Sequence, residues 1–147
     1  LTLKYNVIHI TGKGKKVNFK HTNYHQLEFS DDIGSIFKAS DLVISRAGSN
    51  TIFELATLKT PMLLIPLPKS ASRGDQIDNA NYFKSLGIAN VIEQENLNSS
   101  FKDAVEKTIE NLYKYKKELN KLSFPDGKSR IINEIYKAVE KKPELKK

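Results

Sequence analysis

Apolar positions along this chain come first in short β-branched or leucine-rich runs and later in helical stripes, and that change of period predicts the architecture. Residues 5–10, Tyr-Asn-Val-Ile-His-Ile, stop at Thr11-Gly12-Lys13-Gly14, the pattern of a strand entering a loop. Similar runs predict strands over residues 24–29, 42–45, 62–65 and 88–92. Between them, Asp31-Asp32 offers an N-cap for a short helix carrying Ile33, Ile36 and Phe37. Residues 49–58 space Ile52, Leu55 and Ala56 as a helix does, and residues 74–86 place Ile77, Ala80 and Phe83 on one side. Gly87 is positioned to end that helix. A polar loop is expected over residues 69–75.

Beyond Ile92 only the helical period remains. Asn98 or Ser99 is expected to cap a long helix in which Phe101, Val105, Ile109, Leu112 and Leu119 share a face. Pro125-Asp126-Gly127 is expected to break it, and a last helix repeats apolar residues at Ile131, Ile132, Ile135, Tyr136 and Val139. Residues 1–141 read as one domain and 142–147 as a basic tail. Strands that alternate with helices predict an α/β fold, a doubly wound parallel sheet with helices on both faces. Ligands in such sheets sit outside the carboxyl ends of the strands, so the loops after Ile10, Phe29, Ser45 and Ile65 carry the candidate chemistry.

Composition narrows the picture further. At 147 residues, 39% apolar and 28% charged, the chain has the make-up of one ordinary folded domain. Its net charge is +7, and residues 102–147 hold 13 basic against 8 acidic side chains, so the excess is concentrated there. There is no cysteine, which excludes disulfides, thiolate metal sites and a cysteine nucleophile. The longest apolar run, residues 62–65, is far short of the ~20 residues that span a bilayer, and no secretory leader is visible. Because the chain opens on Leu1, directly into strand-like sequence, it reads as a fragment.

The strongest chemical signal is Ser45-Arg-Ala-Gly-Ser-Asn-Thr-Ile-Phe-Glu54. A strand ends, a small-residue turn follows, and a helix opens on Ser49 and Asn50. The first turn of a helix offers unpaired N–H groups and the positive end of its dipole, so phosphate binds there readily. Gly48 permits close backbone approach, and Ser49, Asn50 and Thr51 add side-chain donors. Glu54, one turn on, suits two adjacent hydroxyls such as those of a ribose. The alternative is that Ser49-Asn50 merely caps the helix. A second patch, Ser72-Arg-Gly-Asp-Gln-Ile-Asp-Asn79, puts Gln76 and Asn79 on one face near a helix start. With Asp75 they offer the donors and acceptors that a sugar demands; helix capping is again the alternative.

Other features are weaker. Gly12, Lys13 and Gly14 lack P-loop spacing, and no dinucleotide-binding glycine pattern is present. His9, His21 and His25 have no metal-ligand spacing. Asp31-Asp32 fits capping better than Mg²⁺ coordination. Tyr113, Tyr115 and the lysines around them fit a solvated amphipathic helix better than an RNA contact. A basic stretch, Lys13, Lys15, Lys16 and Lys20, follows the first strand.

Taken in order, His9-Ile-Thr-Gly-Lys13, Glu28-Phe-Ser-Asp-Asp32, Ser45-Arg-Ala-Gly-Ser-Asn50 with Glu54, Pro61-Met-Leu-Leu-Ile-Pro66, and Ser72-Arg-Gly-Asp-Gln76 with Asn79-Ala80 resemble the C-terminal half of the MurG family of UDP-N-acetylglucosamine transferases. The similarity runs from about residue 7 to about residue 139. It implies one Rossmann-like half of a GT-B glycosyltransferase, the half that holds the nucleotide-sugar donor. By position, the Ser30 backbone would read the uracil edge with Ile33 packed nearby. Gly48, Ser49, Asn50 and Thr51 would sit at the diphosphate, Glu54 would take the ribose hydroxyls, and Gln76 with Asp75 and Asn79 would hold the N-acetylglucosamine. The resemblance further implies an inverting enzyme with no cofactor and no obligatory metal. It implies a lipid-linked muramyl-pentapeptide acceptor, a place on the cytoplasmic face of the bacterial inner membrane, and no nucleic-acid partner.

Two departures stand out. The family's Gly-Gly-Ser-rich loop would precede Leu1, as would the acceptor domain with its membrane-facing patch and general base. The chain alone is therefore expected to bind donor weakly and not to catalyse transfer. Asp75 stands where some relatives have Gln. Two rival readings remain open: a donor-binding subunit of a two-chain glycosyltransferase, and a basic module for nucleic acid or anionic membrane.

Overall fold

The computed structural model describes residues 1–123 and 127–140. The predicted break at Pro125-Asp126 and the tail at 142–147 lie outside the described residues. Strands β1 (Val7–Ile10) and β2 (Tyr24–Leu27) are joined by a loop, and from β2 onward β3 (Val43–Ser45), β4 (Met62–Leu64) and β5 (Ala89–Val91) alternate with α1 (Ile33–Ala39), α2 (Ser49–Thr57) and α3 (Asp75–Ser85). Helices α4 (Leu97–Glu110), α5 (Leu112–Lys121) and α6 (Gly127–Glu140) follow. Each strand is a residue or more shorter than its apolar run, because the flanking residues turn into the connections.

Among the described residues the strands pair in parallel, with one isolated antiparallel bridge between His21 and Tyr24, and the pairing falls into two ladders. β1 pairs β2, with Val7 opposite Tyr24, and β4 lies between β3 and β5, with Leu64 opposite Ser45 and Val91. Among the described residues β1 and β3 each bond on one side only, so each keeps an open edge. Ile8 and Ile44 on those strands remain 47% and 36% exposed.

Strand β4 organises the core, and every one of its side chains is buried. Alternation along the strand sends them to opposite faces. Met62 and Leu64 join Ile52, Leu55 and Ala56 of α2, Ala80 and Phe83 of α3, and Leu119 of α5. Leu63 joins Ile92 and Val105, with Phe101 and Ile109 of α4 against them. Both faces are therefore covered, which is why β4 reads as a continuous apolar run. Between α2 and β4 the chain turns through Lys59, whose φ of +59° lies in the left-handed region. The Lys59 ammonium donates to the carbonyls of Leu119 and Leu122 at 2.9 and 2.6 Å, closing the end of α5.

The C-terminal helices differ from expectation in two ways. A short 3₁₀ turn over Gln94–Asn96 runs straight into α4, so the helix starts at Leu97 and Asn98 and Ser99 lie within it. The expected single long helix is broken at Asn111. There the side-chain amide donates to the Lys107 carbonyl at 2.8 Å, while the Asn111 backbone N–H bonds to Thr108 instead. An Asn side chain that competes for the backbone acceptor is a known helix breaker. Helix α6 forms as its period predicts, but Ile131, Ile135, Tyr136 and Val139 stay 57–64% exposed.

Candidate functional site

Three connections leave the carboxyl ends of β2, β3 and β4, and they carry the candidate residues. After β2, the Ser30 hydroxyl accepts from the Asp32 backbone N–H at 3.2 Å, and the Asp32 carboxylate accepts from the Ser35 N–H at 3.0 Å. Asp32 is thus the cap of α1, and the hydrogen bond from Ser35 holds its carboxyl below the ordinary value. A lowered folded-state pKa means that the cap stabilises α1 above the usual carboxylate range and is lost as pH falls through it. Ile33 opens the helix with its side chain 37% exposed.

After β3 comes the start of α2. Gly48 occupies the N-cap with φ −69° and ψ 135°, and no side chain caps the helix. The first intrahelical bond runs from the Ile52 N–H to the Gly48 carbonyl, so the amides of Ser49, Asn50 and Thr51 precede it. The capping alternative is therefore not what α2 adopts; its first turn keeps the N–H groups that attract an anion. Gly48 has an ordinary backbone conformation, and a Cβ built there would meet nothing within 4 Å. Neither strain nor packing requires glycine at this position, which leaves open space over the helix start.

Ser49, Asn50 and Glu54 are exposed and Thr51 is half-buried. Asn50 and Glu54 line an open, shallow cleft along one side of α2 together with Phe53, Thr57 and Leu58, and Gly34 of α1 borders it. The cleft thus runs between Gly34 of α1 and the face of α2 that carries the carboxylate, and Ser30, Ile33, Ser49 and Thr51 do not line it.

After β4, Gly74 adopts φ +95°, a conformation that favours glycine, and its N–H donates to the Ser72 hydroxyl at 3.2 Å. Asp75 is exposed in the first turn of α3, where an acid complements the dipole. Gln76 Oε1 accepts from the Leu67 N–H at 3.1 Å, and Asn79 Nδ2 donates to the Ala47 carbonyl at 3.2 Å. Both side chains are half-buried and hold loops in place. The Asn79 bond fixes α3 against the turn that leads into α2, so the second and third connections meet. Asp75, Gln76 and Asn79 do not line the cleft beside Glu54.

Spacing alone missed Arg46. Its Nη1 donates to the Ile65 carbonyl at 3.3 Å and to Gln94 Oε1 at 2.5 Å, tying the ends of β3 and β4 to the turn after β5. The only sequence signal was its place between Ser45 and Ala47, because its side-chain partner lies 48 residues away. Among the described residues no group of three His, Cys, Asp or Glu could hold a metal ion, and no helix is long and apolar enough to cross a membrane.

Residues 1–140 match the family described as "Glycosyltransferase family 28 C-terminal domain". The chain is 45% identical over 141 residues to the UDP-N-acetylglucosamine--N-acetylmuramyl-(pentapeptide) pyrophosphoryl-undecaprenol N-acetylglucosamine transferase of Clostridium tetani, covering 93% of this chain and 39% of that protein. It is 44% identical over 137 residues to the protein of the same name from Staphylococcus aureus (strain bovine RF122 / ET3-1), covering 92% of this chain and 34% of that protein. The chain therefore spans well under half the length of these relatives. Among solved structures, Acinetobacter baumannii MurG superposes with a TM-score of 0.74 at 21% identity, over 90% of this chain and 41% of that one. The glycotransferase of kitacinnamycin superposes with a TM-score of 0.60 at 18% identity, over 88% of this chain and 34% of that one. Both place the fold among GT-B glycosyltransferases.

Proposed function

This chain belongs to the glycosyltransferase family 28 C-terminal domain family, and from that premise we propose that it is the donor half of an inverting N-acetylglucosaminyltransferase of peptidoglycan synthesis. The donor is UDP-N-acetylglucosamine and the acceptor a hydroxyl of lipid-linked muramyl-pentapeptide, the substrates that the relatives' names contain. In the reaction the acceptor oxygen bonds to the anomeric carbon as the bond from that carbon to the UDP oxygen breaks. The acceptor proton passes to a base outside this chain.

One observation carries the reading: an uncapped first turn of α2, open at Gly48, with the exposed Glu54 carboxylate one turn further on at the edge of a shallow, open cleft. The amides of Ser49, Asn50 and Thr51 are assigned to the departing diphosphate, whose growing charge the helix dipole stabilises. The positive end of α2 takes the part that a metal plays elsewhere, so donor binding is expected to survive a chelator. Glu54 is assigned to the ribose and the Ser30 backbone with Ile33 to the uracil. Gln76, Asp75 and Asn79 are assigned to the sugar, a role in which Gln76 and Asn79 also keep the loop bonds described above. The acceptor half lies outside the chain, which works peripherally at the cytoplasmic face of the membrane.

Titration calorimetry with chelator present tests this. UDP-N-acetylglucosamine is expected to bind saturably, more tightly than UDP-glucose, and with little dependence on salt. Glu54→Ala is expected to weaken UDP binding by about 1–3 kcal/mol, because it strands hydroxyl partners within the site. Equal affinity of parent and variant removes Glu54 from the site, and no UDP binding by either removes the donor reading.

A further inference from the structure

The connection from β1 to β2, residues 11–23, takes no part in the donor site described above, yet it is built in an unusual way. Lys13, Lys15, Lys16 and Lys20 fall within eight positions, every residue from 13 to 20 is exposed, and no acidic residue occurs from 11 to 27. Among the lysines, Val17 and Phe19 hold large apolar side chains 47% and 46% exposed.

This loop has a fixed shape. Gln26 of β2 holds it with both ends of its amide: Oε1 accepts from the Val17 N–H at 2.8 Å, and Nε2 donates to the carbonyls of Val17 and Phe19 at 2.9 and 3.2 Å. Glu28 accepts from the Gly14 N–H at 3.1 Å and pairs with Lys16 at 3.8 Å. The Phe19 ring lies parallel to His21, with centroids 6.5 Å apart, and meets Tyr24 edge-on at 5.0 Å. The backbone bonds therefore present the two apolar side chains outward on a braced pedestal ringed by cations.

We propose that this loop docks on an anionic phospholipid surface, with Val17 and the outer part of Phe19 entering the headgroup boundary and Lys13, Lys15 and Lys20 facing lipid phosphates. Four lysines without a nearby acid other than Glu28 match a negative surface in sign and spacing. Apolar tips among basic residues are what an interfacial anchor needs. Nucleic acid shares the charge but not the rest. Val17 offers nothing to a base, and the Phe19 ring already packs against His21 and Tyr24. The loop leaves the carboxyl end of β1, the end of the strands on which the donor connections also lie. The proposal rests on the peripheral membrane placement given above and names a surface for it; it uses none of the residues assigned to the donor, so UDP affinity reads the donor assignment separately.

Flotation of the 147-residue chain with vesicles tests it, comparing phosphatidylcholine alone with phosphatidylcholine mixed with phosphatidylglycerol. The parent is expected to float with the anionic vesicles only. Lys13→Gln with Lys15→Gln is expected to weaken that partition about tenfold or more, at about fivefold for each lysine near an anionic surface. Val17→Ser with Phe19→Ser is expected to weaken it at unchanged charge, and both variants are expected to keep the parent's circular dichroism and UDP affinity. Ile131→Ser with Ile135→Ser, on the exposed face of α6, serves as the control. Binding that survives both loop changes, that is lost in the α6 variant instead, or that goes to single-stranded RNA and not to vesicles overturns the proposal.

Discussion

Ser49→Asp is expected to lower the affinity of this chain for UDP by about 100-fold while leaving its thermal stability unchanged or slightly raised. The two effects have one origin. Ser49 is the exposed first residue of α2, and the N-cap before it, Gly48, has no side chain to satisfy the first turn. An aspartate there completes the helix dipole and is worth about 0.3–1 kcal/mol to the fold. The same carboxylate would lie within contact distance of a bound diphosphate. Two like charges about 4 Å apart at a protein surface repel by about 4 kcal/mol before salt screening, and about 100-fold remains after it. A site elsewhere predicts the stability effect alone. Fluorescence-monitored melting beside a UDP titration separates the cases, and unaltered UDP affinity in a stable Ser49→Asp chain removes the α2 start from the site.

Leu63→Ala is expected to destabilise the chain by about 2–5 kcal/mol, the range for deleting a leucine from a closed core. Leu63 is fully buried in the middle of β4, and with Ile92 and Val105 it forms the whole buried part of the cluster under α4. Removing it opens a cavity between sheet and helix, where the nearest replacements, Phe101 and Ile109, are already committed to the rim. Domains of this size are stable by about 5–15 kcal/mol, so the loss is a large share of the total. Denaturant unfolding measures it. A change below about 1 kcal/mol would mean that α4 does not rest on this face of the sheet as described.

Much of this was legible in the sequence because apolar period and turn chemistry are local. The continuous run at residues 62–65 announced a strand covered on both faces, Asp32 capped the start of α1, and Gly87 followed the end of α3, as their chemistry requires. The candidate residues were found by the same logic: they sit after strands, where small residues open helices. What stayed hidden depends on contacts between distant segments. Arg46 binds Gln94 across 48 residues, Asn79 binds Ala47 across 32, and no periodicity contains either bond. The break at Asn111 was hidden for the opposite reason. It arises from one side chain turning onto a carbonyl four residues back, while the apolar face continues through it. The division into two ladders was equally invisible, since strand-like runs do not name their neighbours.

A nucleotide diphosphate bound as proposed rests on the first turn of α2. Amide NMR of the isotope-labelled chain during a UDP titration tests it residue by residue. The account predicts that Ser49, Asn50 and Thr51 shift most, followed by residues around Glu54 and Ser30, in one saturable process. Saturable shifts that leave the 48–51 amides in place, or that gather on the lysines of the β1–β2 loop, would contradict it.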